Sequence, residues 1–286
     1  MTSNRQDPRA EDGLTTATCL GTGTSVGVPV IGCDCAVCTS KHPANIRTRC
    51  SLHLQSPAVS LLIDTGPDLR EQCLRENIRT VDAVLYTHAH LDHLAGFDEL
   101  RAFCWRRDDP LPIYAGRETH EALRRMFPWA MKNTRRSYVR PAPRVLDGPF
   151  TLGDLEVIPI PVEHAGIETF GFRFNLPGDS SLAYLPDVKH IPEASLDLLA
   201  NLEVLIIDAL RPAPHPTHLS LDESLAAATA LRPRHTLFTH IAHEIDFTET
   251  SRTLPPGFSL ACDGLKVLFK ENSRCSMIEP STLMPE

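Results

Sequence analysis

The chain has 286 residues, 42% of them hydrophobic, and a formal net charge of −8 at neutral pH. That length is generous for one domain and short for two, and it can bury a large core. The negative total disfavours nucleic acid and anionic membranes as partners, so an anionic substrate has to be held by local charge, and no apolar run approaches the ~20 residues of a membrane span.

Met1 to Gly13 is polar and charged, without the apolar core of a signal peptide. We read residues 1–15 as a flexible tail and 16–286 as one domain. Nine cysteines is an odd number. With no export signal, the expected compartment is a reducing cytoplasm, where clustered cysteines bind metal more often than they form disulfides. Thr18-Cys19-Leu20 before Gly21-Thr22-Gly23-Thr24 predicts a strand entering a Gly-rich turn. Cys33 to Arg49 reads as irregular. Ser60-Leu61-Leu62-Ile63-Asp64 predicts a buried strand stopped by Thr65-Gly66-Pro67. A helix is expected from Pro67 to about Glu76, with proline at its start. Val81 to Thr87 is the next strand. A helix after His93 would place Phe97, Leu100 and Phe103 on one face.

Pro110 to Tyr114 predicts a short strand and Arg117 to about Met126 a helix. Leu155 to Ile160 is a strand aimed at His164. Thr169 to Asn175 and Ser181 to Leu185 form a hairpin across Pro177-Gly178-Asp179. Val204 to Ile207 is a buried strand ending in Asp208. Leu221 to Leu231 is an Ala-rich helix, His235 to Thr239 a strand ending in His240, and Val267 to Phe269 a last short strand. This alternation predicts an α/β sandwich of two sheets covered by helices.

The densest chemistry is His88-Ala89-His90-Leu91-Asp92-His93, directly after the apolar run Ala83-Val84-Leu85-Tyr86 and Thr87. At the end of a strand, a spacing of two puts His88 and His90 on one face. Asp92 and His93, where the chain turns toward a helix, reach a second point nearby. Two cations about 3.5–4 Å apart can share a water or hydroxide. Such a pair needs further ligands, and His164, Asp187 and His240 each close an apolar segment. Any one of these histidines alone reads as an ordinary surface or capping side chain; the group of seven reads as a metal site. Its nitrogen and oxygen donors suit Zn, Mn or Fe without choosing among them.

Cys33-Asp34-Cys35-Ala36-Val37-Cys38 places three thiols in one loop. Three thiolates lack one ligand of a tetrahedral Zn site, and His243, three residues after His240, is the candidate fourth. A closed Cys3His site would be structural. The alternatives are unliganded thiols or a local disulfide. Cys19, Cys50, Cys73, Cys104, Cys262 and Cys275 are scattered and read mostly as core filler.

The His-x-His-x-Asp-His run with later His, Asp and His resembles the metallo-β-lactamase superfamily, over about Thr16 to Phe269. The resemblance implies an αββα sandwich of two mixed sheets flanked by helices. The loop Gly32 to Cys38 and the pair His240-Ile241-Ala242-His243 resemble, more narrowly, the PhnP-type phosphoribosyl cyclic phosphodiesterases. By that resemblance His88, His90 and His164 hold one metal, Asp92, His93 and His240 the other, and Asp187 bridges. Cys33, Cys35, Cys38 and His243 would hold a structural Zn. The cofactors implied are two divalent ions, Zn or Mn, and that third ion. His218, in His215-Pro216-Thr217-His218, matches a further active-site histidine; the bland alternative is a loop histidine capping the helix that starts near Ser220.

The activity implied is hydrolysis of a small anionic phosphodiester, a cyclic ribose phosphate or nucleotide, by a metal-shared hydroxide, in a possible homodimer. Catalytic roles then fall to His218 as proton donor, to Asp92 at the metals, and to Asp64, which would orient a ligand unless it only forms a turn. A tRNA 3′-processing nuclease is the rival hydrolase, but no Gly- and Lys-rich arm is visible. A non-catalytic protein resembling PqqB is the rival outside the hydrolases, and the intact motif speaks against it. Finally, Arg101 to Arg144 is rich in arginine, including Arg106, Arg107, Arg124, Arg125, Arg135, Arg136 and Arg140. We expect part of it, Arg135 and Arg136 foremost, to overhang the metals and attract phosphate; the alternative is a solvated helical face.

Overall fold

Leu61 and Ile63 point to one side of their strand and Leu62 to the other, and all three are fully buried. Val204 and Ile206 do the same against Leu205 and Ile207. Strands buried on both faces need a layer on each side. Here one face of each sheet packs on the other sheet and the opposite face is covered by helices.

The computed structural model describes residues 13–105, 107–132, 138–270 and 274–280. The first sheet takes β1 (Leu14–Gly21), β2 (Ser51–Gln55), β3 (Ser60–Ile63), β4 (Ala83–Leu85), β5 (Leu111–Ala115) and β6 (Pro141–Val145). The second takes β7 (Phe150–Leu152), β8 (Leu155–His164), β9 (Ile167–Asn175), β10 (Ser181–Leu185), β11 (Val204–Asp208), β12 (His235–Thr239) and β13 (Phe258–Leu260). The chain then returns to the first sheet with β14 (Lys266–Lys270) and β15 (Ser276–Ile278). Helices α1 (Leu69–Arg75), α2 (Leu91–Leu94), α3 (Arg101–Cys104), α4 (Arg117–Met126) and α5 (Pro128–Lys132) belong to the first half; α6 (Glu193–Leu196), α7 (Leu221–Leu231) and α8 (Phe247–Ser251) to the second.

Both sheets are mixed. β3 to β6 and β10 to β13 run parallel, while their other neighbours pair antiparallel. Since β8 and β10 both pair antiparallel with β9, β8 points the same way as β10. The C-terminal ends of β8, β10, β11 and β12 therefore share one rim, the usual place for a site in sheets of this kind. Among the described residues no helix is long and apolar enough to cross a membrane.

Several elements differ from the sequence reading. β1 starts at Leu14, so Leu14 and Thr15 belong to the strand and not to a tail ending at 15; residues 1–12 lie outside the described residues. β4 ends at Leu85, so His88 and His90 stand in the loop beyond it. The helix expected after His93 begins earlier, at Leu91, and is broken into α2, a 3-10 turn at Phe97–Leu100 and α3. Gly96 marks the break: a Cβ there would overlap the carbonyl oxygen of Gly66, so the chain must pass close at that point. The strand at Val267 is not the last, because β15 follows.

Candidate metal centre

Asp64 follows β3 in the left-handed region, at φ 63°. Its backbone N–H still reaches Leu85 O at 2.9 Å, and its carboxylate is turned into the loop after β4. There Oδ1 accepts from the Thr87 backbone N–H at 2.8 Å, and Oδ2 accepts from Thr87 Oγ1 at 2.8 Å and from His93 Nδ1 at 2.7 Å. Thr65 N–H bonds His93 O at 2.7 Å. Gly66 lets these turns close, since a Cβ there would overlap the carbonyl oxygen of Asp92. The motif loop is thus tied to the end of β3 by backbone and by one carboxylate.

These contacts set which ring nitrogen each histidine presents. Thr87 Oγ1 gives its hydrogen to Asp64 and so accepts from His88 Nδ1 at 2.9 Å, leaving the His88 Nε2 lone pair exposed to the centre. His164 Nδ1 donates to Thr217 O at 2.7 Å, with the same result at its Nε2. His88 Nε2 and His164 Nε2 lie 2.9 and 3.2 Å from His90 Nδ1. Two of these lone pairs face the same point, and with His90 Nδ1 also turned there the three nitrogens can share one cation, since edges near 3 Å are those of ligands about 2.0–2.1 Å from one ion.

A second group adjoins the first. His93 Nε2 lies 3.2 Å from Asp92 Oδ2, and His240 Nε2 lies 3.8 Å from it. Asp187 stands between the two groups: Oδ2 is 3.0 Å from His93 Nε2, and Oδ1 is 3.3 Å from His240 Nε2 and 3.7 Å from His164 Nε2. His93 Nε2, His240 Nε2 and Asp187 Oδ2 are buried without a hydrogen-bond partner. Orphaned buried donors and acceptors that converge are costly as they stand. A pair of cations would satisfy them, so these residues fit a dinuclear metal site.

The protonation pattern agrees. Burial holds His88 well below the usual histidine range and pulls His164 down to about 4, so both are neutral and ready to ligate. Burial alone would lower His93 and His240 as well, but the surrounding carboxylates outweigh it. Asp187, Asp64 and Asp92 raise His93 well above its ordinary value, and Asp187, Asp92 and Asp208 lift His240 to about 9. Asp187 is held well below the usual carboxylate range by His240 and His93 in spite of its burial. Without metal, protons on these two imidazoles neutralise the carboxylates.

His218 packs between the third ligands of both groups, its ring centroid 4.6 Å from those of His164 and His240. Its Nδ1 is 2.8 Å from Asp208 Oδ2. In the sequence Asp208 shows only as the end of an apolar run; this contact is what ties it to the centre. The capping of α7 belongs instead to Ser220, which accepts from Glu223 N–H at 3.2 Å while Glu223 reaches back to Ser220 N–H at 2.7 Å.

The cysteine loop meets His243 on the far side of His240. His243 Nδ1 lies 3.2 Å from Cys33 Sγ and 3.5 Å from Cys35 and Cys38 Sγ, and none of the three is in a disulfide. A hydrogen bond from the Cys38 backbone N–H helps lower Cys35 to about 6. The set suits a four-coordinate ion. Three arginines of the Arg101 to Arg144 stretch have partners of their own. Arg107 bonds Val81 O at 2.7 Å, Arg140 bonds Arg107 O at 2.7 Å, and Arg125 pairs with Glu121. They brace loops or lie on solvated helix. Arg106, Arg135 and Arg136 lie outside the described residues.

The beta-lactamase superfamily domain is matched over residues 60–241, the stretch that holds His88, His90, Asp92, His93, His164, Asp187, Asp208, His218 and His240. The chain belongs to the metallo-β-lactamase superfamily. Within it the chain is PhnP-like: a crystal structure of a new diphosphatase from the PhnP family superposes with a TM-score of 0.83 at 43% identity, covering 90% of this chain and 97% of that one. An octanoyltransferase of Porphyromonas gingivalis is 32% identical over 273 residues, 91% of this chain and 53% of that protein. A ribonuclease Z of Bradyrhizobium diazoefficiens is 29% identical over 150 residues, 51% of this chain and 49% of that protein. The chain spans about half the length of the curated relatives it matches.

Proposed function

We propose that the chain is a metal-dependent phosphodiesterase acting on a small diester such as a cyclic ribose phosphate or nucleotide. The observation that carries the reading is the pair of ligand groups, His88, His90, His164 and Asp92, His93, His240, joined through Asp187 and flanked by His218 on a buried carboxylate. Divalent ions held there supply Lewis-acid activation of water and charge neutralisation on phosphoryl oxygens.

The chain's own residues do the rest. Asp64 and the Thr217 carbonyl hold His93 and His164 with the correct nitrogen forward. His218 handles the leaving group. Burial, and the neighbouring His240, pull it down to about 4, whereas burial pushes Asp208 well above the usual carboxylate range. A neutral imidazole beside a protonated carboxyl has the same number of protons as an imidazolium beside a carboxylate. In either arrangement Nδ1 is joined to Asp208 and Nε2 keeps its hydrogen, which is the one available to a departing alkoxide.

The relative at 43% identity is described as a diphosphatase, and that favours a second reading in which the bond cleaved is a phosphoanhydride. The two are separated by assaying the metal-loaded protein on a 2′,3′-cyclic nucleotide, on a linear diester and on a nucleoside diphosphate. Turnover of a diester at a kcat/KM at least tenfold above that of the anhydride is the expected result; the reverse order would replace the first reading by the second. A precursor tRNA in the same series tests the nuclease alternative.

A further inference from the structure

Arg47 is among the largest fully buried side chains, 1% exposed, and among the described residues no carboxylate lies within salt-bridge distance of it. A buried charge of this kind is costly unless its donors are spent well. They are spent on one turn and one loop. Nη1 donates to Ala242 O at 3.0 Å and Nη2 to Ile245 O at 2.8 Å, while Nε donates to Ala44 O at 3.2 Å and Nη2 also to Asn45 Oδ1 at 3.0 Å.

The turn it grips is the one that carries ligands to both metal sites. His240 opens it in the left-handed region, at φ 57°, a conformation uncommon for a residue with a Cβ. That bend sends His240 to the catalytic group and His243, three residues on, to the cysteines. Arg47 grips the cysteine side as well. Its backbone exchanges hydrogen bonds with Val28 at 2.8 and 2.9 Å, and two residues further Val30 N–H bonds Cys38 Sγ at 3.3 Å. One residue thus joins the thiol loop to the turn bearing His240.

We propose that Arg47 couples the Cys33-Cys35-Cys38-His243 cluster to the catalytic centre, so that an ion in the cluster strengthens metal binding at the Asp92-His93-His240 group. This rests on the reading that both sites hold metal. A filled cluster fixes His243 and the cysteine loop; Arg47 transmits that restraint to the Ala242 and Ile245 carbonyls; His240 is then held in its strained ligating pose without drawing on the energy of its own metal bond. By linkage, metal at the centre strengthens the cluster by the same factor.

The test reads metal affinity in the full chain rather than turnover. Cobalt(II)-loaded protein shows thiolate-to-metal absorption from the cluster, and a chelator titration reports the ions of the centre. Cys38→Ser, which empties the cluster and leaves Arg47 in place, is expected to weaken one ion of the centre about 10–100-fold. Arg47→Met should do the same while the thiolate absorption persists, and Arg47→Lys should recover part of the loss. In the Arg47→Met background Cys38→Ser should cost the centre nothing more, which a double-mutant cycle measures. If Arg47→Met does not fold, Arg47→Lys takes its place in the cycle. Coupling through Arg47 is overturned if Cys38→Ser loses only its own ion, or if the two substitutions weaken the centre additively. Wild-type protein with a loaded centre and an empty cluster removes the coupling alone; wild-type protein that takes up no metal removes the metal-centre reading with it.

Discussion

Asp208 binds Nδ1 of His218 at 2.8 Å with the same carboxylate oxygen that accepts the Val188 backbone N–H at 3.1 Å. Val188 follows Asp187, so one fully buried carboxylate at the end of β11 ties the loop of His218 to the turn of the residue that lies between both ligand groups. Its other oxygen stands 3.9 Å from His240 Nδ1. Asp208, itself fully buried, is therefore placed to position His218 against the centre.

Replacing His218 by Ala should lower kcat about 10²–10⁴-fold, the usual worth of a general acid, with KM nearly unchanged. Asp208→Asn should lower kcat in the same direction. Because the two act as a unit, the double variant should be little worse than His218→Ala alone. Metal content, measured on the same samples, should stay at the wild-type value; loss of metal in His218→Ala would make the histidine a ligand instead of a proton donor.

Among the described residues Asp64 reaches the centre through His93 and Thr87. Asp64→Asn would set an amide N–H against groups that all donate, and should weaken metal affinity about 10–100-fold. Activity should return at high metal concentration. A kcat that stays low at saturating metal would show a direct part in the chemistry.

Metal binding should release protons at pH 7. His93 and His240 have raised values in the metal-free protein, the latter about 9, so both are protonated at neutral pH and must lose that proton to ligate. His88 and His164 are lowered and release none. Apparent affinity for metal should accordingly rise with pH through 7 toward 9. The stability that His240 contributes in the metal-free protein runs the other way: it is fully present below its unfolded value near 6.5 and is lost as pH rises through about 9. Calorimetry with the cluster already loaded, in buffers of different ionisation enthalpy, measures the release; a heat independent of buffer would contradict it.

The residues that the fold brings together at the centre were largely legible from the sequence. Four lie within six residues, and His164, Asp187 and His240 each end an apolar run that turns out to be a strand of the second sheet or the turn directly after one. Asp208 ends such a run too, but its role depends on His218, ten residues away and brought back by the loop after β11. Most strands were legible as apolar runs stopped by turn residues. β2, β6, β7, β13 and β15 were not: β2 directly follows an irregular stretch, β6 has two prolines among five residues, and β7, β13 and β15 are three-residue strands at the sheet edges, defined by their neighbours. Arg107 and Arg140 serve backbone carbonyls that no local pattern reveals.

The most direct measurement of the central claim is turnover of bis(p-nitrophenyl) phosphate by purified protein stripped of metal and then resupplied with Zn or Mn, beside a His88→Ala variant. The account predicts turnover that vanishes on stripping, returns with metal, and stays absent in the variant. A folded wild-type protein that shows no turnover with either metal, or one whose turnover survives stripping, would contradict it.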